Sequence, residues 1–162
     1  MATSTASSAV YGVESIDTWE QNLYKLHSMN TIQFGVHYML DGYGANPDIL
    51  SNKVLLLEIL TQLPGDLQMH PISEPLVVEV GEMNTKDPGG LSGFVMIAES
   101  HISFHTFPSR GFVTIDVYTC QNDLDTATLT KKFTELFQLS EVDEFVKPRG
   151  IKYPTENMHL AT

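Results

Sequence analysis

The stretch Ala98 to Cys120, AESHISFHTFPSRGFVTIDVYTC, gathers a carboxylate, a hydroxyl, two imidazoles and a thiol in Glu99, Ser100, His101, His105 and Cys120. Eight positions before Ser100, the segment GLSG adds the hydroxyl of Ser92. Each residue taken alone has an ordinary structural role: Ser100 can end a strand, the histidines can sit satisfied on a sheet face, and Cys120 can pack as a small hydrophobe. Their density in one predicted strand region is unusual for structure alone. Two familiar chemistries fit poorly. His101 and His105 share a strand side by their even offset, but no second cysteine completes a zinc site. Ser100 lacks the G-x-S-x-G elbow of a Ser-His hydrolase. The loop MNTKDPGGLSG is too short and irregular for a P-loop or a dinucleotide fingerprint, and it reads as a turn bringing backbone close to something.

These residues need a scaffold, and hydrophobic periodicity supplies one. From Thr31 to Leu40 the residues Ile32, Phe34, Val36, Tyr38 and Leu40 alternate with their neighbours, which predicts a strand with one buried face. GYGANPD is turn chemistry, and Pro47 opens a helix to about Leu63 whose stripe is Ile49, Leu56, Ile59, Leu60 and Leu63, stopped by Pro64-Gly65. Pro71 and Pro75 bracket a connection into the strand PLVVEV. Three β-rich stretches follow, GFVMIAES, HISFHTF and GFVTIDVYT, the last two joined by a hairpin-like turn at Pro108 to Gly111. Leu129, Phe133, Leu136 and Phe137 mark a helix between Leu124 and Leu139, and EVDEFV gives a final strand before an irregular tail. Trp19, Leu23 and Leu26 further suggest a short helix over Ile16 to Met29. Helices on one face of a mainly antiparallel sheet make a two-layer α+β sandwich. The expected division is a mobile leader over 1–15, one domain over 16–150 and an irregular tail over 151–162.

At 162 residues, 42% of them hydrophobic, the chain can bury one sizeable core and not two. Nine basic against 20 acidic residues give a formal charge of −11, which disfavours nucleic acid and anionic lipid as partners and accommodates a cationic ligand. The same acidity also serves solubility alone. With Cys120 the single cysteine, neither an intrachain disulfide nor a multi-cysteine metal site can form. The start, MATSTASSAVYGVESID, lacks a basic region followed by an apolar core, and runs such as VLLL and FVMIA fall short of the ~20 residues that span a bilayer. A cytoplasmic protein without a membrane partner is expected.

The spacing of four residue types resembles the processing and active-site segment of the prokaryotic-type S-adenosylmethionine decarboxylases. Glu99-Ser100 matches the family's self-cleaving bond, Ser92 in GLSG its upstream serine, His105 its histidine five positions on, and Cys120 its cysteine twenty positions on. Weaker similarity reaches GVH at Gly35 to His37 and FVKPRG at Phe145 to Gly150, so that roughly Gly35 to Gly150 is covered.

The resemblance implies that the chain cleaves itself between 99 and 100 and converts Ser100 into a pyruvoyl group. Ser100 Oγ would attack the Glu99 carbonyl, Ser92 would support the oxyanion, and His105 would help remove the Ser100 α-proton. The pyruvoyl carbonyl would then form a Schiff base with a substrate amine and accept electrons as CO₂ leaves, with no metal or pyridoxal phosphate, and Cys120 would protonate the product carbon. A homodimer of cleaved protomers, acting in polyamine biosynthesis, is implied as well.

Departures from the family pattern bear on the substrate. Where the family carries a glutamate that holds the ribose hydroxyls, this chain has Ser109, which cannot offer a carboxylate's bidentate acceptor geometry. Ungapped counting puts Lys86 where an adenine-stacking aromatic belongs, and Met83 and Asn84 stand where an aromatic and a histidine are commoner. These losses point to a smaller cationic amine-bearing acid, L-arginine or L-ornithine, with Asp41 or Asp87 as counter-charge; S-adenosylmethionine is the alternative, making the decarboxylated form used for spermidine. An inactive regulatory paralogue is the other class of reading, against which the retention of Ser92, Glu99, Ser100, His105 and Cys120 argues.

Overall fold

The computed structural model describes residues 32–154. The leader and the helix expected over Ile16 to Met29 lie outside the described residues. Among the described residues six strands form one sheet: β1 (Gly35–Tyr43), β2 (Leu76–Val80), β3 (Gly90–Ile97), β4 (Ser100–Phe107), β5 (Phe112–Thr119) and β6 (Glu141–Arg149), in the order β2-β3-β4-β5-β1-β6 with every neighbouring pair antiparallel. The α-helices of the same residues, α1 (Pro47–Leu50), α2 (Lys53–Asp66) and α3 (Thr126–Phe137), complete the α+β sandwich expected from sequence.

The core lies between the sheet and the helices. Alternation on the central strands turns Tyr38, Leu40, Val95, Ile97, Ile102, Phe104, Val113, Ile115 and Val117 inward against Leu56, Leu60 and Leu63 of α2 and Leu129, Phe133 and Phe137 of α3. At ~25 cal/mol per Å² of apolar area, this burial is the main favourable term of folding. Among the described residues no helix covers the other face of the sheet. There Leu76, Val78, Phe94, Met96 and Phe145 remain exposed.

Several boundaries differ from the sequence reading for local reasons. β1 runs from Gly35 to Tyr43, later than the expected Thr31 to Leu40, and its turn is closed by Ala45 N–H donating to the Gly111 carbonyl. The single helix expected from Pro47 is two, because Asn46 and Asn52 each cap a new N-terminus, accepting from Asp48 N–H at 2.9 Å and Leu55 N–H at 3.1 Å. Pro64 does not stop α2: it lies in the last turn, where a missing N–H costs one bond, and Leu67 and Met69 still donate to the Leu63 and Pro64 carbonyls. β6 continues through Pro148 to Arg149, as an edge strand permits. The tail begins with order, since Tyr153 bridges to Ile32 and its ring lies 4.8 Å from that of Phe34. The Gly-rich loop ends where its backbone meets β4: a Cβ on Gly90 would stand 2.8 Å from the Thr106 carbonyl carbon. No helix among the described residues is long and apolar enough to cross a membrane.

Candidate active site

β3 and β4 form a hairpin whose two-residue turn is Ala98-Glu99, with Ile97 paired to Ser100. The Glu99-Ser100 peptide therefore sits at the tip of a tight turn. Ser100 has φ 151°, in a region open to glycine and costly for residues with a Cβ, of order 1–3 kcal/mol. Across the sheet Ser100 pairs with Thr119, the last residue of β5, and Cys120 follows at once. The Cys120 N–H donates to the Glu99 carbonyl oxygen at 3.0 Å. That bond polarises the carbonyl and brings the exposed Cys120 beside the same peptide. On the other side of β5, Gly35 lets β1 lie close to the same residue, because a Cβ there would stand 2.8 Å from Cys120 Cα.

The Glu99 side chain is held from the opposite side. Its two carboxylate oxygens accept from His70, one from the backbone N–H at 3.0 Å and one from the ring Nδ1 at 2.7 Å. Burial opposes the charge of Glu99, but the His70 hydrogen bonds outweigh it and hold the carboxyl below its ordinary range.

Ser92 and His105 form a second group. They face each other across β3 and β4, and Ser92 Oγ lies 2.8 Å from His105 Nδ1. Both are on the uncovered face of the sheet. His105 is five residues from Ser100 along an extended strand, a separation of about 16 Å at ~3.3 Å per residue. Within one chain, then, Glu99, Ser100 and Cys120 stand together, Ser92 and His105 stand together, and the two groups are apart.

The candidate substrate residues all lie toward the far end of the strands. Ser109, in the turn Pro108–Arg110, lines a depression of about 400 Å³ with Lys53, Glu79, Gly89 and Gly90. Lys86 and Asp87 belong to the loop before β3, which Asn84 folds back by accepting their N–H groups and Arg110 ties down through the Thr85 carbonyl at 2.9 Å. Met83 and Asn84 are exposed there. Asp41 pairs with Thr114, five rungs from the Thr119 that faces Ser100, and burial together with Asp143 and Asp116 raises its carboxyl above the usual range.

Sequence reasoning missed two features. His70 gives no motif signal, because its partner is 29 positions away. The uncovered face also carries a polar network in which His37 Nε2 meets Asp116 at 2.9 Å, and Arg149 donates to His37 Nδ1 at 3.1 Å while lying 4.7 Å over the Tyr118 ring. His101 joins it, stacked on Phe94, with its imidazole held below its usual value by burial first and by His37 second. Alternation alone separates His101 from the hairpin tip.

A family model described as S-adenosylmethionine decarboxylase matches residues 36–150. The S-adenosylmethionine decarboxylase proenzyme of Pyrobaculum islandicum is 32% identical over 72% of this chain and 89% of its own length. That of Pyrococcus furiosus is 30% identical over 76% and 83%. The crystal structure of the adenosylmethionine decarboxylase from Aquifex aeolicus superposes with a TM-score of 0.63 at 28% identity, covering 78% of this chain and 98% of that one.

These matches overturn L-arginine or L-ornithine as the expected substrate. The expectation rested on Ser109 and on an ungapped count to Lys86. Lys86 lies in an irregular loop where an ungapped count does not carry register, and the exchange of one carboxylate for the hydroxyl of Ser109 does not outweigh a family match over residues 36–150. With the matched segment spanning the whole sheet and both residue groups, this chain belongs to the S-adenosylmethionine decarboxylase family, whose members are pyruvoyl-dependent decarboxylases.

Proposed function

We propose that the chain cleaves itself between Glu99 and Ser100 and then decarboxylates S-adenosylmethionine. The observation that carries the first half is the strained Ser100, φ 151°, next to a Glu99 carbonyl that already accepts the Cys120 N–H. Ser100 Oγ attacks the Glu99 carbonyl carbon and the C–N bond breaks, turning the amide into an ester and releasing the backbone strain. The Cys120 N–H stabilises the negative charge that develops on the Glu99 oxygen. Loss of the Ser100 α-proton then expels the Glu99 carboxylate, cuts the chain and leaves dehydroalanine at position 100. Water replaces its nitrogen, released as ammonia, and leaves the pyruvoyl group. That group supplies an electron-withdrawing carbonyl for a substrate amine and for the electron pair left when CO₂ departs. Cys120 donates the proton that the product carbon needs.

The second group is proposed to reach Ser100 from another protomer. The open sheet face, with Phe94, Met96 and Phe145 exposed on it, supports a homodimer in which two such faces meet. A two-fold axis between the faces and across the strands lays the hairpin tip of one protomer over the far strand ends of the other. His105, oriented by Ser92, would then take the Ser100 α-proton in trans, and Ser109, four residues after His105, would accompany it toward the substrate. S-adenosylmethionine as substrate is supported by the names of the relatives, and its sulfonium charge suits a chain of net charge −11.

The test combines intact mass with CO₂ release from carboxyl-labelled S-adenosylmethionine. The purified protein should appear as fragments of residues 1–99 and 100–162 and release label, and Ser100→Ala should give one uncut, inactive chain. An uncut wild-type chain after prolonged incubation, or cleavage of the Ser100→Ala variant, would overturn the proposal.

A further inference from the structure

We propose that His70 is a positioning residue for self-processing, holding the hairpin turn so that Ser100 faces the carbonyl it attacks. This rests on the reading that the chain cuts itself at Glu99-Ser100. Residues 70 to 73 run along the hairpin as a brace: the His70 carbonyl accepts from Ala98 N–H at 2.8 Å, Pro71 bridges to Ile97, Ile72 N–H donates to the Met96 carbonyl at 3.0 Å, and Ser73 Oγ accepts from Met96 N–H at 3.1 Å. The imidazole adds one contact to this backbone lattice and, beside the His70 N–H on the other carboxylate oxygen, gives the residue that carries the scissile carbonyl a second tether that fixes its side-chain orientation. An ionised carboxylate only accepts, so Nδ1 carries the proton in the 2.7 Å bond to Glu99.

Glu99 is consequently fixed from two directions, its side chain by His70 and its carbonyl by Cys120 N–H. Attack on a carbonyl carbon depends on approach distance and angle, and a misplacement of about 1 Å can cost of order 10²-fold in rate. Rotation of the Glu99 peptide away from Ser100 Oγ would also relieve the strain at φ 151°, so something must oppose it. The brace does so. Exposure separates this role from general packing: the His70 side chain is 80% exposed, against 12% for Glu99, so removing the imidazole deletes a tether without opening the core.

The experiment is a time course of chain cutting after synthesis for wild type, His70→Ala and His70→Asn, with Tm measured for the same changes in the uncut Ser100→Ala background. His70→Ala retains every backbone tether. It should cut at least tenfold more slowly with a Tm within about 2 °C of its parent, and His70→Asn, whose amide can donate in place of Nδ1–H, should recover to within about threefold of wild type. Cutting of His70→Ala within twofold of wild type would overturn the inference. A slowdown accompanied by a lowered Tm, or one that His70→Asn does not relieve, would do the same by assigning His70 to stability or to ring packing. If wild type is not cut at all, the self-processing reading fails and this inference fails with it, whereas normal cutting in both His70 variants removes this inference alone.

Discussion

The peptide between Glu99 and Ser100 is held under tension and under restraint at once. A φ of 151° at Ser100 raises the energy of the uncut chain, while hydrogen bonds from Cys120 and His70 keep the turn from relaxing. Cys120 contributes by two separable routes. Its backbone N–H polarises the Glu99 carbonyl, which any side chain at 120 preserves, and its thiol is the proton donor proposed for turnover. Cys120→Ala should accordingly be cut at nearly the wild-type rate yet turn over S-adenosylmethionine at least about 10²-fold more slowly, the usual worth of a general acid. Measuring cutting by mass and turnover per cut chain separates the two, and normal turnover would remove the thiol from the mechanism. Glu99, Ser100 and Cys120 were legible in sequence because their relation is a fixed spacing along two neighbouring strands. His70 was not, since its contact depends on how the connection after α2 folds over a hairpin 29 positions on.

Elements became legible where one period dominated. The alternation through β1 and the stripe of α3 each identify one face, and the structure buries those faces. Helix ends turned instead on single polar atoms. Asn46 and Asn52 both cap, which splits the expected helix, and no hydrophobic period reports that. Thr106 shows the same kind of control inside the core: although buried, it donates from Oγ1 to the Leu50 carbonyl at 2.8 Å and accepts from Leu91 N–H at 3.0 Å, joining α1, β3 and β4. Thr106→Val keeps the shape and strands both partners. It should cost ~1–3 kcal/mol in denaturant unfolding of the Ser100→Ala chain, and Thr106→Ser should recover most of that; an unchanged midpoint would show that the two groups find other partners.

At the scale of the molecule, the helices among the described residues cover one face of the sheet and leave the other open, with the two groups of candidate residues about 16 Å apart along β4. Sequence spacing carried both groups because the chain encodes each residue once, but spacing along a strand does not say whether two residues meet within a protomer or between protomers. The substrate expectation erred because it set two local departures, Ser109 and the count to Lys86, above a family match over residues 36–150. If the site is composite, defects in the two groups should complement. His105→Ala alone should remain largely uncut. Co-expressed with Ser100→Ala carrying a distinguishing tag, the His105→Ala chain should be cut at position 99, because its intact Ser100 would meet the His105 of the tagged partner, while the Ser100→Ala chain stays whole. A His105→Ala chain that remains uncut in such mixed dimers would place His105 and Ser100 in service of each other within one protomer, which the extended geometry of β4 makes hard to achieve without unpairing the hairpin.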